Sequence, residues 1–540
     1  MRSVALIGMP ATGKSAVGRQ LALVLGLPFS DTDEIIESRE DAAIAEIFET
    51  RGEASFRALE AALIAEVTRA PGVVATGGGV VESEHNMQVL RDWGWIVALV
   101  ASPEVLATRV GRADQWPLLR GGVIENLHRL WTRREAKYRS ADLVVDVGQD
   151  DVEGVVRKIL AFLAQREPAA SVEVRPAHAP SYRAVVGEGI LGLAGHYAQE
   201  AGLGGRVGIL ASPAANRRYG EQLCDALQGS GFAPVLIEIP SGESAKTWET
   251  AGRLCGRLVQ EQIDRTGCLM ALGGEETLDV GGFLAATYMR GIPIVHLPTT
   301  LVAQLDSCIG GKVALNHVRA KNLIGLLHHP RLAVVDVEAA RASGARSIRA
   351  GLAEAVKYGV IADAELLGFL EAHATSLLAA DGRRLAELVA WCLRIKARFV
   401  EEDEVSAGRR MLLNYGHTFG YAIEASTGFH RYTHGEAVAI GMTLAARVAA
   451  AMGLAPASLE ARQTTLLRRF GLPCDFSGVA TARLVEALWR DKKRQGDSLR
   501  FVLPTGIGHG EVRGDVPIEL VARVLRDHAT PVDAPLGTGT

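Results

Sequence analysis

The sequence predicts an α/β protein of more than one domain: a parallel sheet with helices on both faces, then a second α/β unit, then a mainly helical region. Three observations carry this. Short β-branched runs alternate with amphipathic stretches at the N-terminal end and again further on. The stretch from Gln165 to Pro180, with three prolines, several alanines and no clean periodicity, interrupts that alternation. From about Ser347 to Lys493 the pattern becomes predominantly helical. A chain of 540 residues also exceeds what one hydrophobic core usually organises.

In chain order, strands are expected at Val4–Ile7, Val73–Ala75, Ile96–Val100 and Leu143–Val147, with the last helix of this unit ending near Ala164. The first domain is placed at 1–168 and an interdomain linker at 169–180. Strands of the second unit, 181–342, are expected at Val207–Leu210, Val235–Ile239, Cys268–Leu272, Ile294–Leu297 and Ala333–Val335. Periodic segments such as Leu385–Val400 and Glu436–Ala451 make 343–528 a helical subdomain, and a cleft between it and the sheet is the natural site for chemistry. Residues 529–540, with two prolines and a Gly-Thr-Gly-Thr end, are expected to be disordered.

Composition narrows the function classes. Hydrophobic residues at 48% and charged residues at 22% describe a folded chain. The 58 basic and 62 acidic residues nearly cancel, which argues against a general nucleic-acid surface and requires any anion site to be local. Six cysteines without paired spacing suggest neither a disulfide framework nor a zinc ribbon, and fit a reducing compartment. With no uncharged run of roughly 20 residues and no signal-peptide pattern at the start, a cytoplasmic protein without membrane contact is expected.

Gly8-Met9-Pro10-Ala11-Thr12-Gly13-Lys14-Ser15 is a complete phosphate-loop pattern, placed between a strand and a helix-forming segment. Glycines let backbone amides curl around phosphates, Lys14 supplies a point charge and the Ser15 hydroxyl can hold magnesium. Ala11, Thr12, Gly13, Lys14, Ser15 and Ala16 are therefore the candidate nucleotide-binding residues. A glycine-rich turn without nucleotide is the bland alternative, and completeness of the motif weighs against it.

The acceptor must be read from other residues. Asp31-Thr32-Asp33, Phe56-Arg57-Ala58-Leu59-Glu60, Gly77-Gly78-Gly79 and Tyr138-Arg139 follow in an order that resembles the shikimate kinases over essentially the whole first domain. The resemblance implies that Asp33, Arg57, Gly79 and Arg139 bind the acceptor, with Lys14 and Asp33 catalytic and Mg-ATP as co-substrate. Two arginines suit a carboxylate, and a carboxylate can orient hydroxyls. Trp116 stands where that family has a lid arginine. An indole cannot neutralise a transferring phosphoryl group, which leaves Arg112 and Arg120 as candidate substitutes.

Further on come Thr287-Tyr288-Met289-Arg290-Gly291, Asp306-Ser307-Cys308-Ile309-Gly310-Gly311-Lys312, Lys321-Asn322 and Gly351-Leu352-Ala353-Glu354-Ala355-Val356-Lys357. Asn414-Tyr415-Gly416-His417-Thr418-Phe419-Gly420, His434-Gly435-Glu436 and Asp491-Lys492-Lys493 continue the series, which resembles the 3-dehydroquinate synthases. That resemblance implies a Rossmann-like NAD-binding subdomain and a metal- and substrate-binding helical one. It implies a divalent ion, zinc or cobalt, on Glu354, His417 and His434, a ligand set suited to catalytic zinc. Asp306, Lys312, Lys357, Lys396, Arg410 and Asn414 would be catalytic, and Arg290, Lys312, Asn322, Lys357, Arg410, Asn414 and Lys492 would hold the phosphate and carboxylate of a seven-carbon keto-acid phosphate. NAD, used catalytically, would sit on Ser241, Gly242, Glu243, Lys246, Glu275, Asp279, Thr299, Thr300, Lys312 and Lys321. Self-association through this region as a homodimer is also implied.

Three departures accompany the likeness. The usual glycine-rich turn reads Gly273-Gly274-Glu275-Glu276-Thr277-Leu278-Asp279, so an acid stands where backbone must approach pyrophosphate, an arrangement compatible with binding if Glu275 points outward. Tyr421 replaces a histidine one turn after His417, and Ser406 replaces a glutamate before Arg410. A related cyclase acting on another phosphorylated sugar, and a ligand-binding module without turnover, are the competing readings.

Overall fold

The computed structural model describes residues 2–111, 116–318, 320–428, 430–489 and 499–530. β1 (Ser3–Gly8) is buried along its whole length, as a central strand covered on both faces should be. Around it β2 (Phe29–Asp31), β3 (Val73–Ala75), β4 (Gly94–Val100) and β5 (Leu143–Asp146) form a five-stranded sheet in the order β2-β3-β1-β4-β5, every pair parallel. The first compact unit comprises Met1–Glu167 with Leu191–Gln199 and Glu221–Ala233. Its closing helix, Val152–Arg166, buries Val155, Val156, Ile159, Leu160 and Leu163 at helical spacing.

The second unit holds the remaining described chain. Its seven-stranded sheet takes in β6 (Ala170–Val174), β7 (Tyr182–Gly187), β8 (Arg206–Ala211), β9 (Ala233–Glu238), β10 (Cys268–Gly273) and β11 (Ile294–Pro298). β14 (Leu332–Asp336) completes it, in the order β6-β7-β14-β11-β10-β8-β9. Between β11 and β14 the hairpin β12 (Lys312–His317) and β13 (Ala320–Leu327) stands apart as its own antiparallel pair. Helices Ala345–Ile361, Gly382–Glu402, His417–Ser426 and His434–Ala451 follow. One hydrophobic core runs from Val172 in the sheet to Leu525 near the end, so sheet and helical parts share an interior.

Two expectations change here. The stretch 169–180 is not a plain linker: β6 pairs antiparallel with β7 from Ala170↔Val186 to Val174↔Tyr182. Val172 and Val174 are buried while Ser171 and Glu173 are exposed, a two-residue alternation that the neighbouring prolines and alanines conceal. In the stretch 529–540, Ala529–Thr530 forms β18 against β15 (Phe476–Ser477); residues 531–540 lie outside the described residues. A further hairpin, β16 (Phe501–Gly506) and β17 (His509–Arg513), interrupts the helical region. No described helix is long and apolar enough to cross a membrane.

Candidate active sites

The first site lies at the carboxyl ends of β1, β2 and β3, where open parallel sheets place their ligands. After β1 the chain turns through Ala11 (φ 62°) and Gly13 (φ 84°) into the helix Lys14–Leu25. Lys14 Nζ donates to the carbonyls of Gly8 and Met9 at 3.0 Å each, folded back over the loop. Burial lowers the Lys14 ammonium to about 8, against the pull of Asp33 and Asp31.

Asp31 caps the helix Thr32–Glu40 by accepting from the amides of Asp33 and Glu34. That cap commits Asp31 and leaves Asp33 for chemistry. Burial pushes the Asp33 carboxyl up to about 7, with Lys14 opposing and Asp31 and Glu60 reinforcing. Its Oδ1 is buried without a hydrogen-bond partner among the described residues. Arg57 lies across Gly79, where an added Cβ would stand 2.1 Å from Nη2, so the guanidinium occupies space that only glycine leaves. Arg57 also pairs with the buried Glu60 at 2.8 Å.

Arg139 is not part of this group. It is 65% exposed and pairs with Glu135. The buried arginine is Arg134, whose Nε meets Glu82 Oε1 at 2.7 Å and whose Nη1 donates to Gly78 O at 3.0 Å, beside Tyr138 OH on the same carbonyl at 2.8 Å. Its charge is felt by Lys14 and Glu60. Helix geometry explains the difference: residues 134 and 138 share a face, whereas 139 lies about 140° round from 134. Trp116 is half-buried ahead of the short helix Pro117–Leu119. Of its candidate substitutes, Arg120 is paired with Glu49 and Arg112 lies outside the described residues.

The second site is built on crossing helices. Gly416 and Gly441 let the helices His417–Ser426 and His434–Ala451 touch, since a Cβ on Gly441 would stand 2.0 Å from Gly416 O. His417 and His434, each opening its helix, come to a ring separation of 5.2 Å. Glu354 rises between them from the buried helix Ala345–Ile361, with Oε1 3.7 Å from both Nε2 atoms. One ligand atom from each of the three lies within 4.8 Å of the others.

The donors fit a divalent ion. Both Glu354 oxygens are buried without a hydrogen bond of normal geometry, although Lys357 Nζ stands 2.5 Å from Oε2 as an ion pair. His417 Nδ1 faces Tyr415 O at 3.1 Å and His434 Nδ1 faces Glu424 Oε1 at 3.5 Å, which aims both Nε2 atoms inward. Burial opposes protonation of His434, yet Glu424, Glu275 and Glu354 outweigh it and raise the imidazole to about 9. The cluster attracts positive charge.

Against the triad stands a chain of buried charges. Asp306 is held by Lys396 and by Lys357 at 3.3 Å, with Tyr358 OH also at 3.3 Å. Burial would raise the Asp306 carboxyl, but the two lysines overwhelm it and hold it well below the ordinary range. Arg410 is buried, donating to Glu404 O at 2.6 Å and Gly310 O at 2.8 Å, so it ties backbone together instead of opening to a substrate. Lys312, Asn322 and Asn414 line an open cleft of about 520 Å³ with Asp279, Ser406 and Tyr421. A second cleft of about 1040 Å³ shares Asn322, Thr418 and Tyr421 with it, and adds Glu243 and Lys321. Arg290 is exposed and lies beyond the far end of the helix Glu275–Thr287, about 20 Å from its start, so the structure does not bring it to the cluster. Lys492 lies outside the described residues.

On the dinucleotide side, Gly273 ends β10, Gly274 caps the helix Glu275–Thr287, and the first two helical amides, of Glu275 and Glu276, have no intrahelical acceptors. Glu275 does not point outward, the condition under which the substitution would be compatible with pyrophosphate. Its Oε1 accepts from Ser307 Oγ at 2.9 Å. Burial pushes it up to about 7, with His434 opposing and Glu354 reinforcing. The reason is local: Ser307 offers a donor and the helix N-terminus favours an acid. Lys246 joins Asp279 at 2.5 Å and also Asn322. Glu243 accepts from Asn316 Nδ2 at 2.8 Å, behind the turn of Ser241 and Gly242. Thr299 N donates to Gly273 O, and Thr300 Oγ1 accepts from Ala303 N. Glycine turn, free amides and Lys246 suit a dinucleotide phosphate.

Sequence reasoning missed Arg134, Glu60, Glu82 and Glu424. Helical spacing held the signal for three of them: Glu60 is one turn from Arg57, Arg134 one turn before Tyr138, and Glu424 two turns after His417.

Fold and site together define a phosphate-loop small-molecule kinase architecture followed by a metal-centred α/β-plus-helical one. The shikimate kinase family model matches residues 10–164, the 3-dehydroquinate synthase N-terminal model residues 236–350 and the corresponding C-terminal model residues 351–494. A 3-dehydroquinate synthase of Pelobacter propionicus (strain DSM 2379) is 44% identical over 328 residues, 61% of this chain and 91% of that protein. A 2-epi-5-epi-valiolone synthase from Streptomyces hygroscopicus subsp. jinggangensis 5008, solved with NAD+ and Zn2+, superimposes with a TM-score of 0.60 at 28% identity. It is matched over 66% of this chain and 98% of that one. A 2-deoxy-scyllo-inosose synthase complexed with carbaglucose-6-phosphate, NAD+ and Co2+ gives 0.61 at 25% identity over 66% and 100%. The chain belongs to the 3-dehydroquinate synthase family and carries a shikimate-kinase-like domain at its N-terminal end. In this chain Glu354, His417 and His434 form a cluster that could hold a metal ion.

Proposed function

We propose that the chain catalyses two reactions of aromatic biosynthesis in the cytoplasm. One is Mg-ATP-dependent phosphorylation of shikimate to shikimate 3-phosphate. The other is NAD- and metal-dependent cyclisation of 3-deoxy-D-arabino-heptulosonate 7-phosphate to 3-dehydroquinate with release of phosphate. The observation that carries the reading is the meeting of Glu354, His417 and His434 beside the Asp306–Lys357–Lys396 chain.

In the kinase domain Lys14 meets the nucleotide phosphates with Ser15 on magnesium. Asp33 is placed to take the proton of the attacking hydroxyl, and Arg57 and Arg134 to grip the acceptor carboxylate. In the synthase region Lys312, Asn322 and Asn414 orient the substrate in the cleft. When bound, the ion polarises a hydroxyl or ketone oxygen and NAD takes and returns a hydride. Lys357, locked between Glu354 and Asp306, keeps its proton and directs the Glu354 carboxylate. Asp306 and Lys396 hold a fixed dipole against the reacting face.

The purified chain, given zinc, NAD and the seven-carbon acid phosphate, should release phosphate and 3-dehydroquinate in equal amounts. Given ATP, magnesium and shikimate it should release ADP. A chelator should stop the first and, with magnesium restored, spare the second. Phosphate release without 3-dehydroquinate would sink the cyclase assignment. The two solved relatives favour a second reading, a cyclase of another phosphorylated sugar, because metal triad and fold do not fix the substrate. Identity of 44% to 3-dehydroquinate synthases supports the first.

A further inference from the structure

We infer that Arg500 is a substrate-binding residue of the synthase region, receiving an anionic group of the cyclised substrate. This deepens the proposed cyclase function and rests on it. Arg500 immediately precedes β16, the strand whose hairpin walls one side of the smaller cleft through Val502 and Val512. The guanidinium is half-buried in that wall. Among the described residues its one hydrogen-bonding partner is the sulfur of Met411, 3.9 Å from Nη1 and itself lining the cleft. A thioether is a weak acceptor, whereas a guanidinium can grip a carboxylate or phosphate through two parallel hydrogen bonds.

The rest of the cleft points the same way. Among the described residues its one lining carboxylate, Asp279, pairs with Lys246 at 2.5 Å. Lys312 adds a second positive charge, and Asn322 and Asn414 add amide donors. The described wall therefore offers cationic and amide donors that suit a substrate carrying both a carboxylate and a phosphate. Arg410, which the sequence offers for this task, is spent on the carbonyls of Glu404 and Gly310. Arg500 reaches the cleft from a hairpin that the helical reading of this region left out.

Carboxylate and phosphate are chemically alike to a guanidinium, and the test separates them. Full-length wild-type protein and the Arg500→Gln and Arg500→Lys variants are assayed with zinc, NAD and the seven-carbon acid phosphate. Binding of inorganic phosphate and of the dephosphorylated acid is measured by calorimetry on the same proteins. Arg500→Gln should raise KM about 30-fold or more with kcat changed less, and Arg500→Lys should recover part of the loss. The thermal midpoint should stay within about 2 °C of wild type. Selective loss of phosphate binding assigns Arg500 to the phosphate end, and selective loss of the acid assigns it to the carboxylate end. An unchanged KM with both probes still bound by Arg500→Gln overturns the inference. So does a KM rise that comes with a lowered midpoint and no rescue by lysine. If wild-type protein does not cyclise the acid phosphate, the functional reading fails, while the two calorimetric arms still decide whether Arg500 binds anions.

Discussion

Replacing Lys357 by methionine should abolish cyclisation yet tighten zinc binding. Lys357 is fully buried, with its ammonium 2.5 Å from Glu354 Oε2 and 3.3 Å from Asp306 Oδ2. A zinc ion on Glu354, about 2 Å from its oxygen, would lie within about 4.5 Å of that ammonium. A divalent ion and an ammonium at that separation repel by about 4–7 kcal/mol at an effective dielectric near 20 to 40. Removing the ammonium should therefore tighten zinc by at least about tenfold, after some loss of Glu354 orientation. Without metal the same change strands Glu354, since Asp306 keeps Lys396. Stability should fall by about 3 kcal/mol or more, much of it restored by zinc. Competition against a zinc-binding dye gives the affinity, and denaturant midpoints with and without zinc give the stability. Folded Lys357→Met protein that binds zinc no better than wild type would refute the electrostatic reasoning.

In the kinase domain, Arg134→Lys should raise KM for shikimate by about 5- to 150-fold, and Arg139→Ala should leave it near wild type, as steady-state kinetics would show. The Asp33 carboxyl, raised by burial to about 7 from an ordinary value near 3.8, acts as a base only when ionised. Kinase kcat/KM should therefore climb about tenfold per pH unit below 7 and level off above it. The linkage sign is opposite for stability: a raised acid pKa means that the folded domain binds the extra proton, so stability declines between about pH 4 and 7 and an Asp33→Asn variant should lose that slope in pH-dependent denaturation. Glu424→Gln, which weakens the carboxylate behind His434 Nδ1, should cost about 10- to 100-fold in zinc affinity by equilibrium dialysis while leaving phosphorylation of shikimate unchanged.

What could be read from the chain beforehand depended on how local the signal was. All nine strands expected from β-branched runs are present; most are central and buried along their length, while Leu143–Asp146 and Ala233–Glu238 are partly exposed edge strands. β2 has three residues and β6 alternates between buried and exposed beside prolines, and both were missed. The hairpin β16–β17 was hidden inside a stretch whose helical character is otherwise real. At the sites, Lys14 feels the charge of Asp33 in the first unit, and Glu354 meets His417 and His434 in the second. Two residues read from the motifs are turned elsewhere: Arg139 lies on an exposed face of its helix, and Arg410 points into backbone. Glu275 turns inward, where only a three-dimensional neighbour, Ser307, could have announced it.

Glu275 also shows how one substitution ties the two halves of the synthase site together. A helix N-terminus beside a glycine turn offers free amides and a partial positive charge, which in a dinucleotide site answers a pyrophosphate. Here the first helical residue brings its own carboxylate to that place. Turned away from the turn onto Ser307 Oγ, it leaves the amides open but adds negative potential beside Glu354 and His434. A cation on the triad and a dinucleotide phosphate at the turn would therefore feel this residue with opposite sign. Ionised, Glu275 strengthens the hold on a divalent ion and repels pyrophosphate; protonated, it does neither. Burial raises the carboxyl to about 7 with His434 opposing, so a cation on the triad would draw Glu275 toward its ionised form. A glycine at this position would leave the two sites independent; the glutamate makes each one part of the other's electrostatic environment.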